Sequence, residues 1–342
     1  MPILLFLLSQ AAPTHLVVLQ HGLYGGASNL AVLQNKLHEL GHSDVIAHLA
    51  ESNENLLTRD GVEAGGRRLA AEIRSLAAAN PSLRTLSLVG NSLGGLYVRA
   101  AAAELLEGDG MMANLQPKVL VTTGCPHLGV RRYTYLPLPS FMHPAGRAVA
   151  GQTADDLLLR DAERGQRPEP LLLAMSRAEG PHGRALRCFQ QRRLYANLVG
   201  DFMVPFGTAA IEVGGWSAGV GDAALSTRFT QRDDVSFRDA SVCEGRADGV
   251  AVICEQAGFD SDGGDRDLVI EERMRRGLSS VSWSKCAVGF RGVSTLLPMA
   301  HNKLPALRRD GWRRAFEFVE QAHEGAGFTA PSLPLPGLQI TM

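Results

Sequence analysis

Across 342 residues there are only five cysteines, Cys125, Cys188, Cys243, Cys254 and Cys286, and no two of them form a CxxC pair. That removes the usual sequence signatures of a zinc site or a dithiol redox centre, and the odd number argues against a full disulfide framework. Reduced thiols, no metal and no cofactor are expected. An excess of one charge is also missing, because 34 Lys and Arg face 35 Asp and Glu for a formal net charge of −1. Without a global basic field the chain is not expected to bind nucleic acid, although a local patch for transient contact with a membrane surface remains compatible. Nothing in the composition points to a protein partner. No Asn-x-Ser/Thr acceptor with a permitted middle residue occurs, which fits an intracellular, cytoplasmic chain.

Long apolar runs are absent too. No stretch reaches the roughly 18 apolar residues that a membrane span requires. The start carries an apolar run at 3–8 with no basic residue before it, which reads as a buried or truncated first strand, with a secretion signal or N-terminal anchor as the alternative. Internal repeats are lacking as well.

What is present is an ordinary globular balance, 45% hydrophobic and 20% charged, in a chain long enough to bury a large core. Residues 16–19 form a short, fully apolar run ending in His21-Gly22, the pattern of a buried parallel strand, and 44–49 make a weaker second one. Between 61 and 79 the apolar residues Val62, Leu69, Ile73 and Leu76 recur at helical spacing, and Asn80-Pro81 supplies a stop. Strand at 83–89, helix at 93–106 and strand at 118–122 follow. Strand alternating with helix over more than a hundred residues predicts a mostly parallel sheet with helices on both faces.

The rhythm then breaks. Residues 131–190 read as a helical cap insertion and 214–267 as a polar surface insertion within a single domain spanning 1–325, followed by a flexible tail at 326–342. Strands at 194–199 and 281–290 and a helix at 311–322 complete the pattern. In the cap, Leu136, Leu138, Phe141 and Met142 are expected to offer an apolar wall to substrate, with ordinary cap packing as the alternative.

The chemistry is carried by Leu86-Ser87-Leu88-Val89-Gly90-Asn91-Ser92-Leu93-Gly94-Gly95-Leu96, an apolar strand, a GxSxG and an alanine-rich helix in that order. A serine in such a strand-to-helix turn has strained backbone angles, and Gly90 and Gly94 leave room for the turn and the incoming helix. This predicts an α/β-hydrolase fold with Ser92 as nucleophile. A serine hydroxyl needs a base, and histidine has the pKa for that task. In this fold the order is Ser, acid, His, and His301 alone follows the last strand and precedes the terminal helix, His323 lying inside that helix. Asp201 ends the apolar run 194–199 and is the expected acid, with Asp248 as rival. The loop His21-Gly22-Leu23 follows the first strand, so the backbone N–H groups of Leu23 and Leu93 are the expected oxyanion donors, and His21 is expected to hold that loop. Cys125-Pro126-His127-Leu128-Gly129 follows another strand end, with a structural role expected for His127.

These residues together resemble the DUF676 serine esterase family of lipase-like α/β hydrolases, its plant and algal members in particular. The resemblance is carried by HLVVLQHGLYG at 15–25, LVGNSLGGLYVR at 88–99, CPHLGV at 125–130, YANLVGDFMVPFGTAAI at 195–211 and AHNKL at 300–304. It implies an esterase or lipase acting on an acyl ester or lipid substrate, with Ser92, Asp201 and His301 as its triad, and supports GQTADDLLLRD at 151–161 as part of a cap. The segment 214–267 and the tail match no motif of that family. Acyl transfer by the same triad and a silent binding protein on the same fold are the alternatives.

Overall fold

A computed structural model describes residues 13–40, 42–109, 112–131, 143–197, 201, 203–212, 266–288 and 301. The expected substrate wall at Phe141 and Met142, the rival acid Asp248, the terminal helix, the tail and nearly all of the 214–267 segment lie outside the described residues.

Among the described residues, six strands form one parallel sheet: β1 (His15–Gln20), β2 (Val45–Leu49), β3 (Thr85–Asn91), β4 (Gln116–Thr123), β5 (Gln191–Asn197) and β6 (Ser284–Val288), in the order β2-β1-β3-β4-β5-β6. Every residue of β1 is buried, as expected for a strand covered on both faces. Its side chains alternate between two cores. Leu16 and Val18 join a large cluster with Leu69, Ile73, Leu96 and Leu105, while Val17 and Leu19 face Leu30, Leu33 and Leu37. Each fully buried Leu, Ile or Val contributes about 1.5–3 kcal/mol.

The second face is covered by α1 (Ala31–Glu39), a helix that the sequence reading did not anticipate. On the first lie α2 (Val62–Ala79) and α3 (Leu93–Asp109), closely packed because α2 presents Gly65 to the ring of Tyr97 and Gly66 to Ala100. Together these features are the α/β-hydrolase fold.

The crossover from β4 to β5 contains α4 (His143–Leu157), α5 (Leu171–Ser176) and α6 (Pro181–Cys188). Among the described residues of 131–190, those from 171 to 189 do not stand apart as a cap. Leu171, Leu172, Met175, Leu186 and Phe189 are buried in the main core, and α6 packs along α3, so 171–189 belongs to the layer that covers the sheet. These apolar pieces were too short for their period to distinguish a core helix from a cap helix. After β5 come α7 (Phe206–Ala210) and α8 (Arg266–Leu278), the latter against α5. Among the described residues no helix is long and apolar enough to cross a membrane.

Strand order places the site. The chain leaves β1 for the edge strand β2, returns over β1 to β3, and proceeds the other way to β4. Connections therefore diverge beyond the carboxyl ends of β1 and β3, opening the crevice where ligands of open parallel sheets bind.

Candidate active site

Ser92 occupies the single position between β3 and α3, with φ of 55°, a left-handed conformation that is strained for a residue bearing a side chain. The surroundings leave it little choice. A methyl group at Gly94 would sit 2.3 Å from the carbonyl oxygen of Gln20, so α3 starts this close to β1 only because position 94 is glycine. The Ser92 N–H donates to Thr123 O at 2.8 Å, and Thr123 Oγ1 donates to the Asn91 side chain at 2.9 Å, which ties the turn to the end of β4. Ser92 is 7% exposed.

Asp201 and His301 meet at the same end of the sheet. His301 Nδ1–H donates to Asp201 Oδ2 at 2.9 Å, and both residues are buried. Among the described residues, the carboxylate also accepts from Asn197 Nδ2, on Oδ2 at 2.7 Å, and from the N–H groups of Met203 and Val204, on Oδ1 at 3.1 and 2.8 Å. Asp201 is thus held from three sides with one oxygen facing the imidazole. That proton on Nδ1 leaves Nε2 of the neutral ring as a proton acceptor. Gly124 follows β4 and backs the pair: a methyl group there would lie 3.3 Å from the imidazole and 3.8 Å from Asp201. Among the described residues no hydrogen bond joins Ser92 Oγ to the ring, and such bonds often tighten only in the substrate complex.

The loop after β1 lies directly against the serine. A methyl group at Gly22 would come within 2.7 Å of Ser92 Cβ and 3.2 Å of its Oγ. The N–H groups of Leu23 and Leu93 donate to no acceptor among the described residues, and Leu93 opens α3, where backbone N–H groups are free by the geometry of a helix start. His21 is buried, its Nδ1–H donates to Gly22 O at 3.1 Å, and burial lowers its pKa, so it stays neutral as an anchor of this loop.

His127 sits deeper. Arg99 Nη1 lies 3.2 Å from His127 Nδ1; a guanidinium only donates, so Nδ1 accepts and Nε2–H donates to Thr122 Oγ1 at 3.0 Å. Trp283 meets the ring edge-on at 5.4 Å. Burial first, then the charges of Arg99 and Lys285, push the histidine well below its usual pKa. Burial also lowers Arg99 to about 10 and raises the Cys125 thiol to about 12, so neither Cys125 nor His127 is prepared to exchange protons near neutrality. Sequence reading missed Arg99 as the partner of His127, since nothing local marks a helical arginine as wholly buried. Among the described residues no group of His, Cys, Asp and Glu is arranged to hold a metal ion.

The family described as Putative serine esterase (DUF676) matches residues 10–212, more than half of the chain. The chain belongs to that family. It is 31% identical over 211 residues to putative lipase C4A8.10 of Schizosaccharomyces pombe, covering 58% of this chain and 26% of that protein. With putative lipase ROG1 of Saccharomyces cerevisiae the identity is 33% over 207 residues, covering 58% and 28%. The chain therefore spans only about a quarter of the length of these relatives. Among solved structures, Bacillus licheniformis lipase BlEst2 in its mature form is 17% identical, with 65% of this chain and 76% of that chain covered and a TM-score of 0.34.

Proposed function

We propose that the protein is a serine esterase that cleaves carboxylic esters of acyl lipids through an acyl-enzyme. Ser92 Oγ attacks the ester carbonyl while His301 Nε2 takes its proton, and Asp201 holds the tautomer and offsets the charge of the imidazolium. The tetrahedral oxyanion accepts hydrogen bonds from the N–H groups of Leu23 and Leu93. Collapse expels the alcohol, which collects the proton from His301, and water then repeats the sequence on the acyl-serine.

One observation carries this reading: a buried carboxylate-imidazole pair, at 2.9 Å, stands beside the crevice into which a strained serine opens. The matched family and the relatives named as lipases agree with it. The lipid substrate class draws support from the rim, where Tyr24, Leu56, Leu57 and Met203 are exposed on the loops that follow β1, β2 and β5. Apolar side chains in such a place suit contact with a lipid surface.

The test is reaction of the full chain with a fluorophosphonate, followed by mass spectrometry of the adduct, alongside hydrolysis of p-nitrophenyl esters of increasing chain length. Labelling at Ser92 with turnover is expected. An unlabelled, folded protein without turnover overturns the reading, and dominant transfer to an added alcohol redirects the same acyl-enzyme to acyltransferase chemistry.

A further inference from the structure

Thr58 is wholly buried in a short 3-10 helix, Asn55–Arg59, far in sequence from every residue named in the proposed chemistry. Its hydroxyl accepts the N–H of Tyr24 at 3.0 Å and donates to Asn55 O at 2.6 Å. Its carbonyl accepts Tyr97 OH at 3.1 Å and Thr153 Oγ1 at 2.6 Å. The acceptor bond of the hydroxyl and both bonds to the carbonyl are thus directed at three elements, the loop after β1, α3 and α4, while the hydroxyl's own proton stays within the short helix.

The Tyr24 bond matters most. Tyr24 has φ of 55°, a conformation that a residue with a side chain keeps only when its surroundings enforce it. It directly follows Leu23, so the peptide that Thr58 grips is the next one along from the N–H assigned to the oxyanion. Two further bonds clamp the same loop to the same segment: Asn55 N–H donates to Gly25 O at 2.8 Å, and Ala27 N–H to Glu54 Oε1 at 2.7 Å. Those two hold the far end of the loop, and Thr58 alone among the three grips the residue next to Leu23. Through Tyr97, four residues after Leu93 on α3, the same residue also meets the element that carries the second donor.

We infer that Thr58 is a positioning residue for the oxyanion site, its hydroxyl setting the direction of the Leu23 N–H, while its carbonyl only seats its own short helix against α3 and α4. The inference rests on the esterase reading above. Because an oxyanion donor acts on the tetrahedral state more than on bound substrate, loss of the anchor acts on kcat rather than KM.

The experiment is a graded series at position 58 in the full chain, measured with a soluble short-chain ester. Thr58→Val keeps the shape and removes both hydroxyl bonds; kcat is expected to fall about tenfold with KM within about twofold. Affinity for a trifluoromethyl ketone transition-state analogue should weaken by the same factor. Thr58→Ser, which retains the hydroxyl, should restore kcat to within about twofold of the wild type, and Thr58→Cys should fall between. Thr153→Val removes a bond to the same carbonyl but none to the loop, so it should lower the unfolding temperature and leave kcat unchanged. A purely structural Thr58 would lower stability in both valine variants without separating kcat from KM. Wild-type kcat in a folded Thr58→Val, or an equal loss of kcat in Thr153→Val, overturns the inference. If Thr58→Val does not fold, Thr58→Cys carries the test, and wild-type kcat there overturns it. Absence of fluorophosphonate labelling at Ser92 in the wild type overturns the esterase reading itself, whereas intact labelling with unaltered Thr58→Val turnover removes this inference alone.

Discussion

Two histidines are buried around the end of β4, and they have opposite neighbours. His301 faces the carboxylate of Asp201, whereas His127 faces the guanidinium of Arg99. A carboxylate accepts from Nδ1 and stabilises the ring when it gains a second proton; a guanidinium donates to Nδ1 and penalises that gain. Burial alone therefore does not mark a base. The sign of the adjacent charge separates the histidine proposed as a base from one held neutral as a strut. Substitutions around the two rings should either widen that difference or erase it.

The largest effect is expected at the proposed nucleophile and base. Ser92→Ala and His301→Ala should each lower turnover by about 10⁶ while the protein stays folded, as loss of a nucleophile or base does in a serine triad. Steady-state rates and circular dichroism on the same preparations check this, and a folded Ser92→Ala with near-native activity would refute the assignment.

Asp201→Asn comes next, at about 10⁴ in kcat with little change in KM, because the amide disturbs the tautomer without removing the ring. Added to His301→Ala it should cost nothing further, since the groups act as a unit; additive losses in a double-mutant cycle would assign Asp201 to structure. Gly22→Ala should lower kcat by about 10², as its methyl group would press on Ser92 from 2.7 Å and displace the nucleophile. Fluorophosphonate labelling should slow in parallel.

The smallest effect on rate, and the one that sharpens the comparison, is at His127. His127→Gln should leave kcat within about threefold and reduce stability by about 1–3 kcal/mol, the cost of buried donors left unpaired. Its pH signature follows from a folded pKa lying well below the ordinary 6.5. As pH falls through about 6.5 the unfolded chain gains a proton that the native state refuses, so the contribution of neutral His127, complete above that pH, is lost below it. The loss approaches about 1.4 kcal/mol per pH unit. Glutamine cannot titrate, so urea unfolding of the variant between pH 6.5 and about pH 5 should lose stability less steeply than the wild type; equal slopes would exclude His127 as the source.

The strand-turn-helix around Ser92 was legible because its requirements are local: an apolar strand, small residues at 90 and 94, and a helix-forming run, all within a dozen positions. A strand just before Asp201 was legible from the apolar run, and β5 ends at Asn197, four residues before it. Where the expectation of one cap at 131–190 failed, short apolar pieces carried no period long enough to reveal that 171–189 lies in the main core. The polar clamp on the oxyanion loop was invisible for another reason. Threonine, asparagine and glutamate in a loop are unremarkable until their partners are known.

Sequence by itself determined the order of many elements and the strand-turn-helix around Ser92, because strand burial, helical period and glycine spacing are properties of neighbours along the chain. Tertiary structure decided what each buried polar group does. Thr58 reaches Tyr24 across 34 positions and is reached by Thr153 across 95, and Asp201 meets His301 across 100. At such separations no local preference specifies a partner; the sheet order and helix packing bring the groups together, and only then do donor direction and charge sign distinguish one buried polar group from another.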